Sequence, residues 1–385
     1  MQGTVEGHVA PGYEPVADEF ARNFAQRGEL GAAFAVAREG EIVVDLWGGV
    51  ADRASGRPWT ADTAQILFSG AKGLVATCLL MLIERGALEL DAPVVRYWPE
   101  FGAAGKQRVT VREIVSHTAR LPGLETPVTW QEATDAQRMA ELLAGQRQSD
   151  DPRAIRTYHA MTFGWLAGEL VRRVDGRTVG RFFAEEVAAP LALDLWIGLP
   201  PELEPRVATV ELAADWGSAE TFGSGTGVDD AAADPLRWSV FQNPLRYDRS
   251  SFPWNEPAWH QAEVPSSNAI GTARSIARLY DGLGELLSPA TLELAVTPLS
   301  SRWDPLLDSP TTFGVAFQLQ TERRPLGPPA GAYGHGGSGG SRHGRWPEQR
   351  LGFSYAMNLM RESPDDERGL ALLGTLHACV TKVPA

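Results

Sequence analysis

An α+β fold is predicted by three features of the sequence: paired strands near the N-terminus, a wholly apolar helix directly after them, and strand and helix patterns that return near the C-terminus around a mainly helical middle. The 385 residues allow two domains, or one large body with an insertion.

Val16, Phe20 and Phe24 recur at four-residue spacing between Tyr13 and Arg27, with Asp18, Glu19 and Arg22 on the other side, which predicts an amphipathic helix lying on a sheet. Ala32 to Arg38 and Ile42 to Trp47 read as two strands joined by a tight turn at Glu39-Gly40. A polar loop holding Pro58 and Thr63 comes next, and then Gln65 to Leu74. From Leu74 to Ile83 the chain is apolar on every face and stops at Glu84-Arg85-Gly86, so this helix belongs inside a large core. Prolines and glycines between 87 and 130 leave room only for short helices such as Val111 to His117. Helices are predicted for Gln131 to Gly145, for the segment led by Tyr158 and ended by Asp175-Gly176, and for Val179 to Val187.

Residues 213–262 are loop-like, with Trp238, Phe241, Tyr247, Phe252, Trp254 and Trp259 scattered among prolines and glycines. So long a stretch fits either a functional lid or wall, or a surface loop pinned by its aromatics. Thr272 to Leu287 reads as helix, Phe313 to Leu319 and Leu351 to Met357 as strands, and about Glu367 to Val380 as a closing amphipathic helix.

A net charge of −13 argues against nucleic acid or an anionic membrane as partner, since both would be repelled. Cys78 and Cys379 are the only cysteines, which excludes a disulfide framework and a cysteine-rich metal site. The N-terminal residues show neither a basic n-region nor an apolar h-region, and no apolar run is long enough to span a bilayer. A cytoplasmic location is the corresponding expectation.

Chemistry concentrates at Ser69-Gly70-Ala71-Lys72. If Ser69 opens a helix, Lys72 lies one turn on and faces the same way, so hydroxyl and amine can meet. The positive end of the helix dipole disfavours an ammonium there and pushes Lys72 toward its neutral form. Among 35 basic residues only Lys72, Lys106 and Lys382 are lysine, and unlike arginine a desolvated lysine can lose its proton near neutral pH. Taken alone, S-x-x-K also fits a helix N-cap followed by a chance lysine. Two other stretches could complete a site. Tyr158 precedes a helix, where its phenolate could be stabilised by an ammonium and serve as a base. The run Gly334-His335-Gly336-Gly337-Ser338-Gly339-Gly340 would let backbone approach a substrate.

In order, Ser69-x-x-Lys72, Tyr158-His159-Ala160 and His335-Gly336-Gly337 resemble the serine β-lactamase and penicillin-binding-protein superfamily, most closely its class C β-lactamase-like esterases, the family VIII carboxylesterases. Ile114-Val115-Ser116-His117-Thr118 and Tyr158 to Arg173 extend the likeness over nearly the whole chain. The resemblance implies an antiparallel sheet flanked by helices and built from both chain ends, residues 1–68 and 262–385, with a mainly helical domain inserted at 69–261 and the active site in the cleft. It implies Ser69 as the acylated nucleophile, Lys72 as the group that helps deprotonate it, and Tyr158 as the base that activates water, with the N–H groups of Ser69 and Ser338 as oxyanion hole. His335, Gly336, Gly337, Trp238 and Trp254 are the candidate substrate contacts.

Where penicillin-recognising members carry Y-x-N and K-T-G, this chain has Tyr158-His159-Ala160 and His335-Gly336-Gly337, so two anchors for β-lactams are absent. The expected function is therefore hydrolysis of small carboxylic esters, without metal or cofactor and with weak or no β-lactamase activity. Two alternatives stay open: acyl transfer to an amine or alcohol, and a sensor that is acylated without turnover. Gly336-Gly337-Ser338-Gly339-Gly340 also matches the G-x-S-x-G elbow of α/β-hydrolases, with His343 and His377 downstream. That elbow needs a strand before it and a helix after it, and neither flank is expected here.

Overall fold

The structure is a computed structural model that describes residues 5–214, 216, 233–244, 253–361 and 366–381. Its centre is a ten-stranded antiparallel sheet. Three strands come from the N-terminal end: β1 (Val5–Val9), β2 (Gly31–Arg38) and β3 (Glu41–Asp52), with Arg57–Pro58 added to β3. Six come from the C-terminal end: β4 (Ser300–Asp304), β5 (Ser309–Phe313), β6 (Gln318–Leu319), β7 (Tyr333–Gly336), β8 (Arg342–Trp346) and β9 (Leu351–Met357). The order is β1-β3-β2-β9-β8-β7-β6-β5-β4, and the two ends meet where β2 pairs with β9 from Arg38↔Leu351 to Ala32↔Met357.

Strand β2 is apolar at nearly every position because both of its faces are buried. Ala32, Phe34 and Val36 face one side, where Val16 and Phe20 of α1 (Glu14–Gln26) and Leu372 and Leu376 of the C-terminal helix Arg368–Val380 cover them. Each large apolar side chain buried there contributes about 1.5–3 kcal/mol. The opposite face carries only Ala33, Ala35 and Ala37, which lets Ala273 and Ala277 of the helix Ala273–Asp281 come close. Gly352 on β9 makes the same approach possible, since a Cβ there would stand 2.2 Å from the Ala277 carbonyl oxygen.

Helix α2 (Ala71–Glu84) is buried from Ala71 to Leu82, as an all-apolar helix must be. Helices α3 (Ala136–Gly145) and α4 (Thr162–Asp175) pack near it, and one continuous core joins these helices to Ile276, Phe317 and Tyr333 of the sheet side. Among the described residues no helix is long and apolar enough to cross a membrane.

Several boundaries differ from the sequence expectation. Phe313–Leu319 is not one strand: the chain leaves β5 at Phe313, turns through Gly314, Val315 and Ala316, whose φ is +62°, and re-enters the sheet as β6. The helix expected over 131–145 is two, Trp130–Ala133 and α3, because Asp135 caps the second by accepting the Arg138 N–H. The helix expected over 272–287 is likewise split into Ala273–Asp281 and Leu283–Leu286 at Gly282. Strand β7 lies inside the glycine-rich run, so the decoy elbow does have a strand before it. The next element of the sheet is β8 rather than a long helix, and the elbow is not built. Of the aromatic stretch, Tyr247 and Phe252 lie outside the described residues.

Candidate active site

Ser69 is placed by the two segments that flank it in space. Gln65–Ile66 pairs with Ile270–Gly271, and the Leu67 N–H donates to the Ala269 carbonyl at 2.9 Å. Phe68 then takes φ +49°, an expensive conformation for an aromatic residue, and its ring lies 4.8 Å from that of Trp254. This turn delivers Ser69 half-exposed at the mouth of α2, whereas Lys72, three residues on, is fully buried.

The Lys72 Nζ lies 3.3 Å from Ser69 Oγ, 2.8 Å from the Ala160 carbonyl oxygen and 3.0 Å from the Ser266 carbonyl oxygen. Burial, reinforced by the positive charge of Arg324, holds its pKa well below the usual lysine value. A neutral amine has two N–H bonds and one lone pair. The two carbonyls take the N–H bonds, and the lone pair is left facing the serine hydroxyl. In the neutral form of Lys72 a free lone pair and the Ser69 hydroxyl face each other, the arrangement that a nucleophile and its base require.

Tyr158 stands on the other side of Lys72, whose Nζ is 4.8 Å from the centre of the phenol ring. Its hydroxyl is 3.3 Å from His335 Nε2, and His335 Nδ1 is 2.7 Å from the Gly336 carbonyl oxygen. The carbonyl requires the proton on Nδ1, so Nε2 accepts and the tyrosine hydroxyl donates. Burial keeps the His335 imidazole neutral by pushing its pKa well below the usual value. The backbone N–H of Tyr158 donates to Asp304 Oδ2 at 2.7 Å, while Asp304 Oδ1 accepts from Leu306 and Leu307 at 2.8 and 3.0 Å. His117 packs its ring 4.8 Å from Tyr158 and 4.3 Å from Phe313. Its backbone carbonyl, with that of Ser116, accepts from the Arg302 guanidinium.

The glycine-rich strand comes against the serine turn. A Cβ on Gly337 would stand 2.4 Å from the Leu67 carbonyl oxygen, so only glycine allows this approach, which brings Ser338 beside the Ser69 turn. Ser69 and Ser338 each lie in a single helical turn at this junction, Phe68–Gly70 and Ser338–Gly340.

Ser69, Lys72, Tyr158, His335, Gly337 and Ser338 are thus brought together. His335 is fully buried and faces Tyr158, in place of the substrate contact expected of it. Trp254 is fully buried too, and it supports Phe68 from behind where a pocket wall was expected. Trp238 is half-buried on the short helix Pro235–Phe241, which packs near Tyr158 through Leu236, Val240 and Phe241. His343, the decoy's partner, instead faces Ser354 Oγ at 2.9 Å. Asp304 and Arg302 were not singled out, although Asp304-Pro305 is a turn signal whose carboxylate cups the N–H groups after it. Among the described residues no three His, Cys, Asp or Glu side chains gather to hold a metal ion.

Comparison with known proteins gives concordant results. The family model described as Beta-lactamase matches residues 17–376. The esterase/β-lactamase LipL of Mycobacterium tuberculosis is 34% identical over 375 residues, covering 92% of this chain and 82% of that protein. Among solved structures, a family VIII carboxylesterase superposes with a TM-score of 0.85 at 34% identity, covering 98% of this chain and 100% of the other. A penicillin-binding-protein homologue from Caulobacter crescentus gives 0.86 at 34% identity with the same coverage.

Proposed function

The chain belongs to the β-lactamase family, and on that premise we propose that it is a serine hydrolase cleaving small carboxylic esters through an acyl-enzyme on Ser69. The observation that carries this reading is the desolvated Lys72, with both N–H bonds occupied and its lone pair toward Ser69. The names of its relatives agree: LipL is called an esterase/β-lactamase, and the protein of 34% identity superposed above is a carboxylesterase.

In the first step Ser69 Oγ attacks the ester carbonyl carbon and its proton passes to Lys72. The carbonyl oxygen gains the negative charge between the N–H groups of Ser69 and Ser338. One such donor is worth roughly 3 kcal/mol of barrier. The bond to the alcohol oxygen breaks, and the alkoxide leaves with the proton from Lys72. In the second step Tyr158 passes its hydroxyl proton to His335 Nε2 as it takes one from water, whose oxygen attacks the acyl carbon; both transfers reverse when Ser69 Oγ is reprotonated. The acid departs and Ser69 Oγ recovers its proton. His335 in place of a lysine, and Ala160 in place of an amide, leave β-lactam turnover weak or absent.

The sheet unit of 1–68 and 262–385 and the helical unit of 69–261, with the site between them, belong to this proposal. Hydrolysis of 4-nitrophenyl butyrate by the wild type and its loss in Ser69→Ala is the expected result. Equal rates in both proteins would overturn it.

A further inference from the structure

We propose that His260 is a positioning residue for the esterase site: as an imidazolium it holds the tryptophan turn that supports Ser69, and kcat falls when rising pH removes its proton. This rests on the esterase reading and adds to it a titrating group outside the catalytic set.

His260 closes a buried junction of three segments, the turn Pro201–Arg206, the turn Pro253–Asn255 and its own helix Pro257–Gln261. Its Nδ1 lies 2.8 Å from Glu204 Oε1, and its Nε2 lies 2.7 Å from the Trp254 carbonyl oxygen. A carbonyl oxygen and an ionised carboxylate only accept, so both ring nitrogens must donate. A neutral imidazole has a single N–H and would leave one of these contacts as two lone pairs facing each other. The geometry therefore requires the imidazolium, the opposite state from His335, whose two partners are a carbonyl and a donating hydroxyl. A cation buried to this depth needs a counter-charge, and Glu204 supplies it. Among the described residues Glu204 Oε2 has no hydrogen-bond partner, so the pair with His260 is what holds the carboxylate. Within and next to these segments no other charge competes: Glu202 and Glu256 are exposed, and Arg206 turns to Asp194 at 2.6 Å.

The junction reaches the nucleophile through one pair of rings. Trp254 is fully buried, and its ring lies 4.8 Å from that of Phe68, the residue before Ser69. Phe68 holds φ +49°, a conformation that persists only where its surroundings enforce it. Behind Trp254 stands Trp259 of the His260 helix, with the two ring centres 5.2 Å apart and edge to face. His260 thus fixes the Trp254 carbonyl directly and, through its helix, the ring that backs Trp254. Loss of one ring proton loosens this support, and the Ser69 hydroxyl loses its aim at Lys72. That costs kcat rather than KM, because no group of the junction touches the substrate.

The experiment measures kcat and KM for 4-nitrophenyl butyrate against pH in wild type, His260→Gln and Glu204→Gln. The His260 C2–H chemical shift, assigned by its loss in His260→Gln, follows the ring's own protonation. In the wild type kcat should fall roughly three- to tenfold as pH rises through that titration, with KM little changed. His260→Gln, whose amide does not titrate, should lack this limb and stay near the lower value throughout. Glu204→Gln keeps an acceptor for Nδ1 at a part-exposed position but removes the charge that favours the imidazolium. The limb and the C2–H titration should then move together toward lower pH. A wild type without the limb overturns the proposal, as does a limb unmoved in Glu204→Gln or retained in His260→Gln. A His260→Gln variant that only melts earlier, with kcat and its pH profile as in the wild type, overturns it too and leaves His260 a structural residue. Ser69 acylated by the ester, read by intact mass, keeps the esterase reading standing in each of those cases, whereas failure to acylate overturns both.

Discussion

In the proposed mechanism Lys72 acts as a base because of what surrounds its nitrogen. With the Ala160 and Ser266 carbonyls on its N–H bonds, desolvation favours the free amine by lowering its pKa well below the usual lysine value, and Ser69 is what the lone pair of that amine meets. Replacing it by arginine keeps a basic residue but removes the lone pair for good, since a guanidinium stays protonated. Lys72→Arg should therefore lose roughly 10²–10⁴ in kcat on 4-nitrophenyl butyrate, with Ser69 no longer acylated on the same timescale, which stopped-flow release of nitrophenol would track. The pH profile has the same physical origin. The neutral amine is the active form, so kcat/KM is full above the depressed Lys72 pKa and falls as pH drops through it. Arg324 is one of the groups that depress it, and so Arg324→Gln should move this acid limb toward higher pH. A limb unmoved or shifted the other way would show that burial alone sets the amine. The S-x-x-K spacing and the scarcity of lysine made Ser69 and Lys72 legible in the sequence. Arg324 was not, because an arginine-rich chain offers no sign of which guanidinium the fold sets near enough for its charge to act on Lys72.

At the scale of elements, legibility depended on side-chain pattern. The expected strands Ala32 to Arg38 and Ile42 to Trp47 lie within β2 and β3, and the all-apolar α2 is buried as its composition demanded. Strand β7, Tyr333-Gly334-His335-Gly336, was invisible because glycine has no strand preference to read; β6 and β8 hold it in the sheet through Gly334↔Gln318 and Gly334↔Gly344. The turn after β4 is the other element that sequence pattern concealed. There Asp304 ties the entry to α4 to the sheet by accepting the Tyr158 N–H, which makes it a positioning residue for the phenol. Asp304→Asn retains an oxygen for Leu306 and Leu307 but turns an amide donor toward the Tyr158 N–H. The expected outcome is a fall in kcat with little change in KM, and a fold that survives. Asp304→Ala leaves three N–H groups without their acceptor, each costing about 1–3 kcal/mol, and should lower the melting temperature clearly. An unchanged kcat in Asp304→Asn would remove the residue from any part in aiming Tyr158.

At the scale of the molecule, closing the sheet from both chain ends brings residue 69 to residue 338, and a buried charge cluster fixes how the second approaches the first. Arg368, at the start of the C-terminal helix, is fully buried and donates to Glu29 at 2.7 Å and to both oxygens of Asp366 at 2.8 Å. The same guanidinium reaches the carbonyl oxygens of Leu359 at 3.1 Å and Gly339 at 3.3 Å, and Gly339 comes directly after Ser338, the proposed oxyanion donor. The N-terminal segment, the last strand and the oxyanion turn therefore share one cation. Removing one member of such a buried set leaves the others charged and unpaired, which costs about 3–5 kcal/mol, more than the set contributes over an apolar filling. Arg368→Met should lower stability by about that amount in urea unfolding. Its second effect separates a structural anchor from one that matters to catalysis. With the Gly339 carbonyl released, the Ser338 N–H should lose its aim, and kcat for 4-nitrophenyl butyrate should fall while the KM changes little, at temperatures where the variant is still folded. A variant that loses stability but keeps kcat would confine the cluster to holding the two chain ends together.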